Sequence, residues 1–195
     1  MTADRFPMRN TPHRYGAVAM AFHWVLAIAV VGLIVVGMIM TDLPPSQRTF
    51  EIFQLHKSIG FVVFVLALGR LAWRLANPVP PLPDGLKTWE RGAAHLTHYG
   101  LYVLLIAQPV VGWLASSAST LGIQTVVFGV LPLPDAVSPD EALYERLSAL
   151  HGAIGWAFVA LVALHVAAAL KHHFVLRDDV LRRMLPGTRV PPRRG

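Results

Sequence analysis

The chain has 195 residues, 54% of them hydrophobic and only 14% charged, with a net charge of +6 and no cysteine. A soluble domain of this length carries about a quarter charged residues, so a soluble enzyme is excluded and an integral membrane protein is indicated. The missing thiols exclude iron–sulfur clusters, thiolate-ligated or covalently attached c-type haem, and disulfides, which leaves any metal chemistry to the nine histidines.

In chain order, a basic N-terminal tail (1–16) is followed by four apolar blocks at about 17–40, 52–76, 93–117 and 147–170, and a basic C-terminal tail (173–195) closes the chain. Each block holds about 24 residues, enough at 1.5 Å per residue to cross a hydrocarbon core of about 30 Å. None contains Asp or Glu. Backbone groups in lipid must satisfy one another, so the expected fold is all-α, an integral membrane four-helix bundle spanning residues 17–172. The first block is longer than the apolar region of a signal peptide, and Met38-Ile39-Met40-Thr41-Asp42 has no small-residue cleavage pattern; it is expected to stay as a span.

The N-terminal tail, the loop 77–92 and the C-terminal tail fall on one side. With Arg70, Arg74 and Lys171 they hold 14 of the 17 Lys and Arg, leaving Arg48, Lys57 and Arg146 on the other. The positive-inside rule makes both termini cytoplasmic. The basic balance then reflects topology and anionic lipid headgroups, and no nucleic-acid partner is expected. The loop from Asn77 is proline-rich and stiff, with Asp84-Gly85 as a turn. The stretch from Leu121 to Leu133 is apolar but too short to span, and is expected in the interface or over one end of the bundle.

Six histidines fall within the spans: His23, His56, His95, His98, His151 and His165. A single one reads most simply as an interhelical hydrogen bond. Six without any acidic companion point to function. Depth sorts them into an inner pair, His23 with His165, and an outer pair, His56 with His151. The two on the fourth span are 14 residues apart, almost four turns and about 21 Å along one face. A divalent-ion transporter, the remote alternative, would line its path with carboxylates. Two haem b groups, each held between one imidazole from each of two facing helices, suit the pattern better. Gly60, Gly69, Gly152 and Gly155 give room for a flat macrocycle.

The runs Arg14-Tyr15-Gly16 through His23-Trp24, Leu55-His56-Lys57-Ser58-Ile59-Gly60, Ala94-His95-Leu96-Thr97-His98, Leu164-His165 through Lys171-His172-His173, and Leu181-Arg182-Arg183-Met184-Leu185-Pro186 resemble the bacterial cytochrome b561 family in order and spacing. The resemblance covers roughly Arg14 to Pro186. It implies a four-helix, di-haem, quinone-linked cytochrome of the inner membrane, with iron ligands at His23, His56, His151 and His165, the set that depth selects. It leaves His95 and His98 for propionate contact, quinone contact or proton relay, against interhelical hydrogen bonding. It suggests His172 as the quinone or proton-relay residue.

Arg70 and Arg74 are propionate candidates or snorkelling cations. Trp24, Trp73 and Trp113 read as interface or packing residues. One characterised family member implies superoxide oxidation at the outer haem with ubiquinone reduction inside, and Lys57 and Arg146 are then the anion-access candidates. The alternative implied by related subunits is a cytochrome b that takes electrons from a partner dehydrogenase or hydrogenase, so the donor is superoxide or a redox protein.

Overall fold

The computed structural model describes residues 7–83 and 85–188; Asp84, and with it the Asp84-Gly85 turn, lies outside the described residues, as do residues 1–6 and 189–195 of the tails. Four long helices dominate: α1 (Ala17–Met40), α2 (Gln47–Ala76), α3 (Thr88–Ala118) and α4 (Glu141–Leu170). All four are long and apolar enough to cross a membrane. Their outward faces are those of a lipid-embedded protein: Ile28, Val35, Leu68, Val103 and Trp156 are all exposed, an arrangement that would be an aggregation hazard in water. The inward positions include small residues such as Ser58, Ala67 and Ala115, which let helix backbones approach closely where lipid offers no hydrophobic driving force. The fold is an all-α membrane four-helix bundle.

Three helices begin about five residues ahead of their apolar runs because polar loop residues cap them. Ser46 Oγ accepts the Thr49 N–H at 3.1 Å, and Asp140 Oδ1 accepts the Leu143 N–H at 2.9 Å. Glu90 reaches back to the Lys87 N–H at 3.0 Å. These contacts satisfy N–H groups that an α-helix leaves orphaned in its first turn. Helix α1 is capped differently, by the tail. The Pro7 carbonyl accepts the Ala17 N–H at 2.9 Å and the Met8 carbonyl accepts that of Val18 at 3.5 Å.

The chain gathers into two compact units. The first holds the chain up to residue 25, residues 69–101 and the chain from residue 160 onward; the second holds residues 26–68 and 102–159. In the first unit the tails are folded. Asn10, 9% exposed, accepts the Gly16 N–H at 2.9 Å and donates to the Pro78 carbonyl at 2.9 Å. The Trp24 indole donates to the Met184 carbonyl at 2.8 Å, which gives the packing expectation for Trp24 a specific partner. After α4 the helix loosens into a π-helical turn, Lys171–Leu176, ended by Arg177 at φ 54°, and a 3-10 turn follows at Arg182–Met184.

In the second unit the apolar stretch after α3 forms a minimal hairpin, β1 (Val126–Val127) antiparallel to β2 (Leu131–Pro132). Phe128 (φ 49°) and Gly129 (φ 71°) turn it in the left-handed region. A bulky residue adopts that region only when held there, and the hold is Ser58 on α2. Its hydroxyl, 1% exposed, accepts the Phe128 N–H at 2.9 Å and donates to the Gln54 carbonyl at 2.7 Å. Gln54 adds a bond from Nε2 to the Gln124 carbonyl at 2.9 Å.

Gly16 is fixed by space: a Cβ there would collide with the backbone of Met8 and Arg9. Gly16→Ala is therefore expected to lower the midpoint of thermal unfolding in detergent. Gly32→Ala, where nothing lies within 4 Å of the added carbon, should leave it unchanged or slightly raised. Equal midpoints for the two variants would show that the tail does not brace α1.

Candidate functional site

Each unit holds one facing pair of imidazoles. In the first, His23 of α1 and His165 of α4 have ring centres 6.1 Å apart with planes inclined at 69°. In the second, His56 of α2 and His151 of α4 stand 6.3 Å apart at 74°. Each residue comes from a different helix within its pair, and α4 supplies one to both. Two imidazoles that bind one metal ion from opposite sides, with metal–nitrogen bonds of about 2 Å, place their ring centres about 6 Å apart. Both pairs have that spacing.

The polar accounting agrees. His56 Nδ1 and His151 Nδ1 are buried and meet no hydrogen-bond partner among the described residues, a defect costing about 1–3 kcal/mol each unless something else binds the ring. Among the described residues no group of three or more His, Cys, Asp or Glu is placed to hold a metal ion. Space beside the outer pair is open as well. A Cβ added at Gly60, one turn beyond His56, or at Gly152, beside His151, meets nothing within 4 Å. Gly69 and Gly155 behave otherwise, since an added carbon would meet the Phe22 ring at 3.3 Å and Gln108 Nε2 at 3.4 Å. These two serve close helix packing. The donors present therefore fit an iron macrocycle held by one imidazole from each side.

Residues that sequence reasoning did not single out position the outer pair. Gln108 of α3 donates from Nε2 to the His151 carbonyl at 2.9 Å. Gly112, one turn further along α3, lets the His151 ring approach so closely that a Cβ would lie 2.9 Å from its Cε1. Gly37 of α1 stands against His56, where an added carbon would lie 3.4 Å from the ring. Glycine at helix spacing was the available signal, but it does not say which neighbour approaches.

The two histidines of α3 part company. His98 lies with its ring centre 5.5 Å from that of His165, whereas His95 is exposed and stacks on Tyr99 at 6.2 Å. Arg70 acts electrostatically on both His23 and His165, and Arg74 on His98. His172, on the π-helical turn, binds Asp178 through Nδ1, an acid six residues on that sequence reasoning did not single out. In the second unit Lys57, half-buried beside His56, donates from Nζ to Ser116 Oγ at 3.2 Å, and Ser116 in turn meets Thr125 Oγ1 at 3.0 Å. Arg146 is exposed.

Facing imidazoles in apolar stretches of membrane helices that lack Asp and Glu fit a membrane-bound haem protein of the b type. Comparison with known proteins makes the class specific. Residues 14–187 match the family described as prokaryotic cytochrome b561. Cytochrome b561 homolog 2 of Escherichia coli (strain K12) is 39% identical over 178 residues, 90% of this chain and 93% of that protein. The probable superoxide oxidase CybB of Yersinia pestis is 28% identical over 179 residues, 90% of this chain and 98% of that protein. Cytochrome b561 homolog 1 of the same Escherichia coli strain is 28% identical, with 89% of this chain and 98% of that protein covered. The chain belongs to the prokaryotic cytochrome b561 family and is a bacterial membrane electron carrier that binds haem b.

Gly112→Ala is expected to push the His151 ring and lower haem bound per chain, read from reduced-minus-oxidised absorbance against protein concentration. Gly92→Ala, with nothing near the added carbon, should keep the parent value. Full haem loading in Gly112→Ala would show that the ring has room to move.

Proposed function

We propose that the protein carries two haem b groups, one ligated by His56 and His151 and one by His23 and His165, and passes electrons from the periplasmic side to quinone at the cytoplasmic side of the bacterial inner membrane. The observation that carries this reading is the pair of imidazole separations, 6.1 and 6.3 Å, each drawn from two helices. Haem supplies reversible one-electron transfer at each site. The chain supplies the axial nitrogens, the apolar surroundings and the ends where donor and acceptor meet. Both termini are cytoplasmic in this reading, on the charge asymmetry of the loops.

At the cytoplasmic end, quinone takes two electrons and two protons to become quinol, so a proton-holding group is needed there. His172 suits that task. Asp178 on Nδ1 fixes the ring and leaves Nε2 as the nitrogen for proton exchange. His98, against His165, is the second relay candidate; His95, exposed toward lipid, is a weaker one. Arg70 suits a carboxylate group of the inner haem, given its electrostatic reach to His23 and His165; Arg74, which reaches His98, is the second candidate.

At the periplasmic end the donor we favour is superoxide, each anion giving up one electron and leaving as dioxygen. Support comes from the Yersinia pestis relative named a probable superoxide oxidase and from Lys57, whose ammonium sits one residue from His56. Three basic and six acidic residues mark that side in sequence, so long-range attraction is not expected; charges beyond about 8–10 Å are largely screened, and the nearest cation governs approach. A partner dehydrogenase or hydrogenase remains the competing donor, and its stable copurification would favour it.

His56→Ala or His151→Ala should remove one haem of two and leave the other, while His23→Ala or His165→Ala should remove its counterpart, as read by haem quantitation and redox titration. Loss of haem in His95→Ala but not in His23→Ala would refute the inner pairing. For the two ends, Lys57→Glu should slow haem reduction by superoxide about tenfold at low salt, and His172→Ala should slow reoxidation by ubiquinone at unchanged haem content. Rates indifferent to Lys57→Glu and to salt would remove the anion site, and a quinone rate indifferent to His172→Ala would move the quinone site elsewhere.

A further inference from the structure

The folded tails of the first unit leave part of two arginines unanswered. Arg14 donates from Nη1 to the Thr188 carbonyl at 3.3 Å. Its Nε and Nη2, the two N–H groups that lie side by side on one edge of the guanidinium, are buried and meet no acceptor among the described residues. Arg183 is 5% exposed. It donates from Nη1 to the Pro81 carbonyl at 2.7 Å and pairs through Nη2 with Asp179 at 2.6 Å, yet its Nε is also buried without a partner.

The two side chains belong to one construction. The Tyr15 N–H donates to the Arg183 carbonyl at 3.4 Å. Thr188, whose carbonyl holds Arg14, donates from its hydroxyl to the Arg182 carbonyl at 2.6 Å. Three N–H groups of permanent cations are thus buried without acceptors within a few residues of backbone contact. Unanswered donors on a buried cation are among the most costly polar defects in a protein.

No acidic side chain described in this unit is left to answer them. Asp179 is held by Arg183, Asp178 by His172, and Glu90 by Lys171 at 3.1 Å. The occupant must come from outside the described chain. Its chemistry follows from the donor geometry: the Nε/Nη2 edge offers two parallel N–H bonds, the arrangement that matches the two oxygens of a carboxylate or phosphate.

We propose that Arg14, flanked by Arg183, forms an oxyanion site in the folded tails that takes a carboxylate or phosphate carried by a membrane-confined molecule. Two sources share this chemistry. One is a haem propionate, which rests on the haem reading above. The other is the phosphate of an anionic lipid headgroup, which does not.

The test uses the full chain purified with its haem, as parent, Arg14→Gln, Arg14→Lys and Arg9→Gln. Arg14→Lys keeps the charge and loses the fork; Arg9 is exposed and controls for general charge loss. Retention of phosphatidylglycerol from mixed-lipid nanodiscs is read by native mass spectrometry, and the haem propionate bending band by resonance Raman. A lipid occupant predicts that both Arg14 variants lose phosphatidylglycerol about tenfold with an unmoved Raman band. A propionate occupant predicts a shifted band in both variants, with haem content kept and lipid retention unchanged. Neither readout moving in either variant overturns the site, as does a lipid loss that Arg9→Gln reproduces. If the parent protein purifies without haem, the haem reading fails by itself and lipid retention alone decides. If Arg14→Gln does not fold, Arg14→Lys carries both readouts.

Discussion

An imidazole in hydrocarbon has nowhere to place its ring nitrogens except on another protein group or on a metal. The rest of this molecule is organised around that constraint. His56 and His151 each bury a ring nitrogen with no protein partner. The neighbouring helix surfaces are shaped to bring those ring centres to 6.3 Å from each other rather than to hydrogen-bond them away. Gly112 and Gly37 remove the side chains that would hold the rings apart, and Gln108 ties the His151 backbone to α3. Helix α4, from Glu141 to Leu170, carries a histidine of each pair.

The two ends are finished by different means, and each means suits what must happen there. Beside His56 the chain outside the spans is a hairpin, pinned by the single hydroxyl of Ser58 and by Gln54, with Lys57 held between Ser116 and the helix. Beside His165 the chain is a π-helical turn, a rare geometry that commonly marks function. It brings His172 onto Asp178.

Much of this was legible in the residues. Lipid demands about 20 apolar residues per span, so the four helices announce themselves, and the depth of each histidine within its span selects the pairs. Helix starts were less legible, because Ser46, Glu90 and Asp140 act from polar loops where hydrophobic pattern is silent. His95 and His98 could not be separated by spacing; three residues on a helix leave them on overlapping faces, and only packing sends one to His165 and the other to Tyr99. Asp178 and the buried Asn10 and Arg183 were hidden for a different reason. Asn10 and Arg183 reach distant backbone carbonyls, and Asp178 meets His172 across a π-helical turn, geometry that no residue type specifies.

The folded tails also impose an order of events on biosynthesis. Pro7 and Met8 brace the start of α1 as soon as that helix forms. The Trp24 indole, by contrast, waits for the carbonyl of Met184, and Arg14 waits for Thr188. These partners leave the ribosome only after every span has been made. A nascent chain must therefore carry its first helix through insertion with one end unfinished. The closing contact, once made, joins the first span to the segment that follows the fourth, so it reports that all four spans have been made.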